Sequence, residues 1–514
     1  MYFADPVESV FSWNTAVKVF VAPLLGYWLL WLVYARNLHP LAKVSGPLWP
    51  SISRTWLMYR MYVGDLEALI TDRYGQLVRI APDEVSSSDP KAIAVLYPIK
   101  SPLQKTDWYL TYRPVGLGSI DAFTDDDEKH HTATRKVVGP AYTLTSMLKN
   151  EKPLDGVVSS FMERLDEFAE RQTPFDFGEW LEMYSFDGVG TVFFGNPFGF
   201  IKESIDYGGY INAVHTAMPL NSVVAMAPTW LRPALLYCGI AIPKVFNAIM
   251  AADGIRKTAV RETELAQART QDMTSQRTDI LSQILSIKNN KPESLSINDV
   301  HVEMWGAVIA GADSTSGALR AIFYYLMKTP ATMEKLVNEI DSAFADGSLN
   351  HPVQYNEAVK LPYLRAVIQE SLRIFPPFAV PMPRYAPPGG LEVSGYYLKP
   401  GTKIGMNAMV VQFDKEIFGE DAHEFRPERW LESEEKYRAM EKAMLVFGAG
   451  TRTCIGKHLS NMEMYKAVPE ILRRFTVKMA HDRPWKTHNA TFIMQSDVIY
   501  LEDRRHTTAM RKLQ

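Results

Sequence analysis

Cysteine is nearly absent: Cys238 and Cys454 are the only two in 514 residues. They could make one disulfide at most, which excludes a secreted disulfide scaffold. Neither has a second cysteine or a histidine at zinc-finger spacing, which favours a single reactive or ligating thiol in a reducing compartment. Excess charge of either sign is also missing. The formal net charge is -3, with no long Lys/Arg block or basic tail, so nothing points to nucleic acid. After residue 50 there is no internal repeat, low-complexity tract or long flexible linker. No Rossmann-like glycine fingerprint or flavin module is visible either. What is present is ordinary for a large globular core: 47% hydrophobic and 22% charged residues.

Residues 19–34 read VFVAPLLGYWLLWLVY and carry no charge. The stretch is slightly short for a membrane span. Its flanks help: Lys18 can snorkel, and Trp28, Trp31 and Tyr34 suit an interface. A signal peptide would begin with basic residues, whereas this leader holds Asp5 and Glu8. A buried core helix is the other alternative, but Pro23 and Gly26 suit a membrane helix better than a soluble one. The expectation is an anchor over residues 1–36, a Pro/Gly linker over 37–50 and one large domain over 51–514. Arg36, Lys43, Arg54 and Arg60 follow the anchor, which by the positive-inside rule leaves that domain in the cytoplasm. The sequon at Asn489 is then expected to stay unused.

The rest is mostly helical in pattern. Apolar residues recur at helical spacing over 154–171, 245–270, 299–328, 331–345 and 361–374. Short strand-like pieces lie near 76–80, 391–397 and 402–405. Residues 216–245 are apolar, with Met, Pro and few charges. They fit either core helices or a membrane-dipping lid over a substrate channel.

Residues 447–456 read FGAGTRTCIG. A thiolate that binds a metal needs its charge stabilised. Gly448, Gly450 and Gly456 let backbone N–H groups come close, Arg452 adds a cation, and Phe447 offers a flat face to shield the sulfur. The helical pattern after Gly456 puts the thiol before a helix N-terminus. Taken alone, these residues also fit a buried structural cysteine beside a glycine turn.

The string matches every fixed position of F-x-x-G-x-R-x-C-x-G, and so resembles the heme-binding loop of the cytochrome P450 family. The resemblance extends over about residues 40–500. It implies the mainly α P450 fold, with small β-sheets around a buried heme and an N-terminal transmembrane helix. It implies heme b with Cys454 as the axial ligand of the iron, a thiolate that favours O–O cleavage. Glu370–Ser371–Leu372–Arg373 resembles the family's E-x-x-R, and Pro427–Glu428–Arg429–Trp430 its P-E-R-F/W. Together they imply a structural cluster of Glu370, Arg373 and Arg429. Arg384 and Arg135 resemble the family's arginines on the heme propionates. His131 stands where the family often has Trp, and its imidazole can still donate to a propionate. The acidic run Asp125 to Glu128 before it reads as a solvated helix start.

Ala310 to Thr315 read AGADST. Alone they fit a close-packed helix contact. They resemble the family's A/G-G-x-D/E-T-T/S, which implies that Asp313, Ser314 and Thr315 deliver protons to dioxygen. Small residues at 310–312 would let the helix lie flat over a planar cofactor or open locally. Ser314 departs from the usual Thr, which keeps the hydroxyl but frees its rotamers. By position in the resembling fold, Met304, Trp305, Val308, Ile309, Ala312, Phe378, Ala379, Val380 and Met494 face an apolar substrate pocket.

The implied reaction inserts one atom of dioxygen into a hydrophobic small molecule, with electrons from NADPH through a separate NADPH–cytochrome P450 reductase. Lys136, Lys442 and Lys457 are candidates for its docking patch, or plain surface lysines. The general look resembles fungal members of secondary metabolism, which implies a terpenoid or polyketide-derived substrate and anchoring in the endoplasmic reticulum. Two rivals stand beside this reading: a heme-thiolate isomerase or dehydratase, and a membrane-tethered heme protein that only binds an apolar ligand. Dependence on NADPH and a reductase separates the first, and a ligand-induced spin change without turnover would support the second.

Overall fold

The structure is a computed structural model that describes residues 17–66, 74–114, 116–270, 277–483, 485–490, 492–495 and 498–504. Near the N-terminus, α1 (Ala22–Val33) is flanked by π-helical turns. The stretch Lys18–Leu38 has a mean hydropathy of 1.5 and is 6% buried. A helix that apolar and that uncovered fits a membrane anchor. The segment after it lies against the domain. Leu41 and Val44 are buried, Arg79 donates to the carbonyl of Ala35, and a Cβ on Gly46 would fall 2.6 Å from the carbonyl oxygen of Arg79.

The next elements are α2 (Thr55–Val63) and the strands β1 (Leu77–Ala81) and β2 (Glu84–Ser87). They are followed by α3 (Glu128–Val138), α4 (Glu151–Arg171), the two-residue β3 (Phe175–Asp176) and α5 (Phe177–Phe194). The apolar stretch 216–245 divides in three: the end of α6 (Tyr210–Met226), all of α7 (Arg232–Ile240) and the start of α8 (Pro243–Thr270). Its first part is core, since Val224, Ala225 and Met226 are buried and the last two pack with Trp56, Met61 and Trp108. Its second part is a surface, with Trp230 and Tyr237 each 79% exposed and Ile240 and Ile242 uncovered beside them.

The long α9 (Ile297–Lys328) opens on a capping box in which the Ser296 hydroxyl accepts from the Asp299 N–H and Asp299 accepts from the Ser296 N–H. Its 32 residues span about 48 Å. α10 (Pro330–Asp346) and α11 (Pro362–Ile374) follow, each with proline in its first turn. The remaining elements are β4 (Arg384–Tyr385), β5 (Leu391–Val393), β6 (Tyr396–Leu398), β7 (Lys403–Gly405), α12 (Lys457–Arg474) and β8 (Phe475–Met479). Three strands close the described chain: β9 (Thr487–Ala490), β10 (Phe492–Gln495) and β11 (Val498–Asp503).

The sheets are small. One has the order β1-β2-β7-β4, with β2 and β7 parallel and the other neighbours antiparallel. The others are β3-β11-β8 and the pairs β10-β9 and β5-β6. The strand-like piece 391–397 is the β5-β6 hairpin, turned at Ser394 and Gly395, both with positive φ. The main core lies where α4, α5, α9, α11 and α12 meet. Within it Gly311 is needed for close approach, because a Cβ there would sit 2.8 Å from a Val189 methyl on α5.

Candidate active site around Cys454

The loop before α12 is shaped by glycine. Gly448 and Gly450 both have φ of 66°, where other residues are strained. A Cβ on Gly450 would also lie 2.2 Å from the Tyr97 carbonyl oxygen. Gly456 has an ordinary φ of −80°, so its glycine answers to space beside the sulfur, where a Cβ would come 3.9 Å from Sγ. The Cys454 N–H donates to the Phe447 carbonyl across 2.8 Å, which closes the loop. Cys454 is a free, exposed thiol. Burial pushes its thiol pKa up. The Gly456 N–H, Arg135, and the N–H and charge of Lys457 act against that.

α9 packs against α12, the helix that follows this loop. In α9 Ala310 is exposed, while Trp305, Gly306, Ile309 and Ser314 are partly exposed. Met304, Val308 and Ala312, expected in a substrate pocket, instead pack fully into the main core. The helical period explains the difference. Positions 306, 310 and 314 recur every four residues on one face, and 304, 308 and 312 on another. Of the small residues at 310–312, Gly311 serves the contact with α5 and Ala310 alone lies fully open. The helix is continuous, and the Ser314 hydroxyl donates back to the Ala310 carbonyl at 2.8 Å. Thr315 is buried and lies by Glu463, whose two carboxylate oxygens have no geometric hydrogen-bond partner and whose pKa burial raises well above the ordinary value. Phe378 is partly buried, whereas Ala379 and Val380 are fully buried. Met494 lies on β10, and its side chain is outside the described residues.

The cations converge at one edge. His131 and Arg135 are i and i+4 on α3, which the Asp127 side chain caps. Arg135 donates to the Thr453 carbonyl at 2.7 Å. Arg452 binds both oxygens of Glu128 at 3.2 and 2.7 Å. Arg384 donates to the Tyr109 hydroxyl at 2.5 Å and lies over the Tyr97 ring. The acidic run is a solvated helix start only in part: Asp127 is exposed and caps α3, but two of its members turn inward. Asp125 is 2% exposed and meets His130 at 2.8 Å, and Glu128 is spent on Arg452. Each of these two carboxylates has its own partner there.

Sequence reasoning missed Lys105. Its ammonium is buried on the carbonyls of Ala122 and Phe123, beside the Tyr109 ring. Burial, with Arg452 and Arg384 nearby, pushes its pKa well below the ordinary lysine value. No motif surrounds it, and its only signal was lysine beside Trp108 and Tyr109. His131 is 3% exposed, its Nδ1 has no partner, and burial plus Arg452, Lys105 and Arg135 pushes it down to about 3.

This donor set fits heme. A loop closed by glycines and backbone N–H groups holds the thiol, as a thiolate ligand needs. At the edge Lys105, Arg135, Arg384 and Arg452 gather beside an unpartnered imidazole nitrogen, as a group with two acidic side chains needs.

Behind the loop, Glu370, Arg373 and Arg429 meet with almost no exposure. Glu370 accepts from Arg373 at 2.8 and 2.9 Å, from Arg429 at 2.9 Å, from the Trp430 indole at 2.9 Å and from the Arg426 N–H at 3.0 Å.

Comparison with known proteins agrees with this geometry. The family model for cytochrome P450 matches residues 99–502. Cytochrome P450 monooxygenase ACRTS1 of Alternaria alternata is 80% identical over 371 residues, covering 72% of this chain and 99% of that protein. Cytochrome P450 monooxygenase gsfF of Penicillium aethiopicum is 38% identical over 485 residues, 92% of this chain and 96% of its own. A pisatin demethylase of Fusarium vanettenii is 30% identical over 509 residues, 97% of this chain and 96% of its own. Loop, cations, open helix face and relatives agree, and the chain belongs to the cytochrome P450 family of heme-dependent monooxygenases.

Proposed function

We propose that this chain inserts one oxygen atom into a hydrophobic terpenoid or polyketide-derived intermediate of fungal secondary metabolism. The observation that carries the reading is the glycine loop that closes on Cys454, in a chain that the cytochrome P450 family model matches over residues 99–502. Fungal relatives named monooxygenases, and one named for demethylating pisatin, support a small-molecule substrate.

In this reading Cys454 holds the heme iron through sulfur. His131, Arg135, Arg384 and Arg452 hold the propionates, and Lys105 joins them. Bound heme supplies the activation of dioxygen, one atom of which enters the substrate while the other leaves as water. The chemistry consumes two protons with the two electrons; Asp313, reloaded between them, holds each in turn, and the Ser314 hydroxyl passes it on, with Thr315 behind. Phe447 and Gly456 shape the approach to the sulfur. Trp305, Ile309 and Phe378 give the substrate an apolar wall. Electrons come from NADPH through a cytochrome P450 reductase that docks near Lys136, Lys442 and Lys457, all exposed. The N-terminal helix holds the enzyme in the endoplasmic reticulum, with the catalytic domain in the cytoplasm.

The test is the carbon monoxide spectrum of the reduced protein. A strongly red-shifted Soret band is expected. A well-folded protein that retains no heme, or one with the band of histidine ligation, would overturn the assignment.

A further inference from the structure

Away from the thiol, α5, α6 and α9 bring an acid pair and an imidazole together. The ligand atoms of Glu182, His215 and Asp313 lie within 4.8 Å of one another. Glu182 is 1% exposed and accepts from Arg320 at 2.7 Å on one oxygen, while the His215 Nε2 lies 3.0 Å from the other. Asp313 is 9% exposed, and its Oδ1 has no partner as an ionised group. Two carboxyl groups so close in the interior bond to each other only when one carries a proton. Burial, and then the charge of Glu182, keep that proton on Asp313, with its pKa well above the ordinary value; Arg320 opposes this. Burial works against the charge on Glu182 too, but His215 and Arg320 hold its pKa below the ordinary range.

The charged groups facing this pair are few. From α5 come Glu182 and, one turn earlier, Glu179, which feels Asp176 and Asp206. From α6 comes His215, and from α9 Arg320. His215 is the member that reaches solvent, with 35% of its side chain exposed.

We propose that Glu182 and His215 are positioning residues that reload Asp313 with a proton drawn from water. This rests on the reading of Asp313 as proton donor. The transfer balances without electrons. The charged imidazole loses its Nε2 proton to the Glu182 carboxylate, Glu182 passes a proton to the ionised Asp313, and water returns one to His215. Arg320 holds Glu182 in place between them, and its charge returns Glu182 to the ionised state.

The test is infrared spectroscopy of the purified holoenzyme, following the band of protonated carboxyl groups against pH and after mixing with D2O. The component of the band that Asp313→Asn removes, apart from that of buried groups such as Glu463, belongs to Asp313. Glu182→Gln is expected to move its midpoint to lower pH, because the opposing charge is gone. His215→Gln keeps the fold at a partly exposed position and is expected to slow exchange of the Asp313 proton with D2O. Glu182→Asp is expected to restore the wild-type midpoint in part, which a purely structural role would not do. An unmoved midpoint in E182Q, or exchange in H215Q as fast as in the wild type, overturns the proposal. If those results appear while D313N still loses product per NADPH, Asp313 remains the donor and only its supply is misassigned. If D313N leaves product per NADPH unchanged, the donor role falls and the proposal falls with it.

Discussion

Arg135 donates to the carbonyl oxygen of Thr453 at 2.7 Å, and so ties α3 to the residue just before the thiol. The same guanidinium lies close enough to Cys454 to act on its charge. Arg135→Ala is therefore expected to loosen the loop and remove one cation from the heme edge together. A lost charge-assisted bond is worth about 1.5–3 kcal/mol, roughly 10- to 150-fold in heme affinity. Heme-to-protein ratio after gel filtration measures it. Arg135→Lys should retain more heme than Arg135→Ala, since the charge survives while the fork geometry is lost.

Glu370 is the shared acceptor of Arg373, Arg429 and the Trp430 indole, with none of the carboxylate exposed. Glu370→Ala would leave two guanidinium groups buried without their carboxylate. Breaking such a cluster from one side costs about 3–5 kcal/mol. The expected result is a large fall in the thermal midpoint or loss of soluble protein. Glu370→Gln, of the same shape, should fall nearly as far if charge rather than packing holds the cluster.

Asp107 joins α7 to the first sheet. It meets Lys403 at 2.7 Å and Arg232 at 2.8 Å, and accepts from the hydroxyls of Thr229 and Tyr385 at 2.7 and 2.9 Å. Burial disfavours its charge, but the bond and charge of Lys403, with Thr229 and Arg232, hold its carboxyl well below the usual range. For a depressed carboxylate the added stability is complete above the unfolded value, near 3.8, and is lost as pH falls through the folded value. Asp107→Asn should thus be less stable by about 3 kcal/mol at neutral pH. The gap to wild type should stay constant down to about pH 5 and narrow only under stronger acid. Denaturant midpoints across that range check it. A gap that closes already near neutrality would place the effect elsewhere.

How far the sequence could be read depended on locality. The loop around Cys454, the pair Glu370 and Arg373, and α9 rest on neighbours within a few residues, so pattern alone located them. The long helices appeared within a few residues of their expected ends: 299–328 is α9 (Ile297–Lys328), and 361–374 is α11 (Pro362–Ile374). What needed the third dimension stayed hidden. Lys105 looks like any surface lysine until Arg384 and Arg452 close over it. Glu128 looks like a solvated helix start until Arg452, far along the chain, reaches it. Met304, Val308 and Ala312 went to the wrong face because counting along a helix fixes spacing but not rotation. Glu182 and His215 carry no local signal at all; only the packing of α5 and α6 on α9 brings them to Asp313.

Ser314 is where this chain departs from the family pattern, and its geometry says what the departure does. Its hydroxyl donates to the Ala310 carbonyl one turn back at 2.8 Å, a bond that helix interiors offer to serine and threonine alike. Threonine would make the same bond with a methyl group added, and its branched Cβ would restrict the rotamers serine can sample. A hydroxyl that leaves its place lets water reach the proton path from other directions, so electrons are spent without product. Ser314→Thr is therefore expected to raise product formed per NADPH, and Ser314→Ala to lower it while NADPH consumption continues. Proton delivery by a placed side chain contributes about 10²-fold or more, so the alanine variant should lose most of its product. The measurement uses the enzyme reconstituted with a reductase and any compound that shifts its Soret band, following product, NADPH and hydrogen peroxide together. Equal coupling in all three proteins would mean that the hydroxyl at 314 serves only the helix, and that Asp313 acts through water alone.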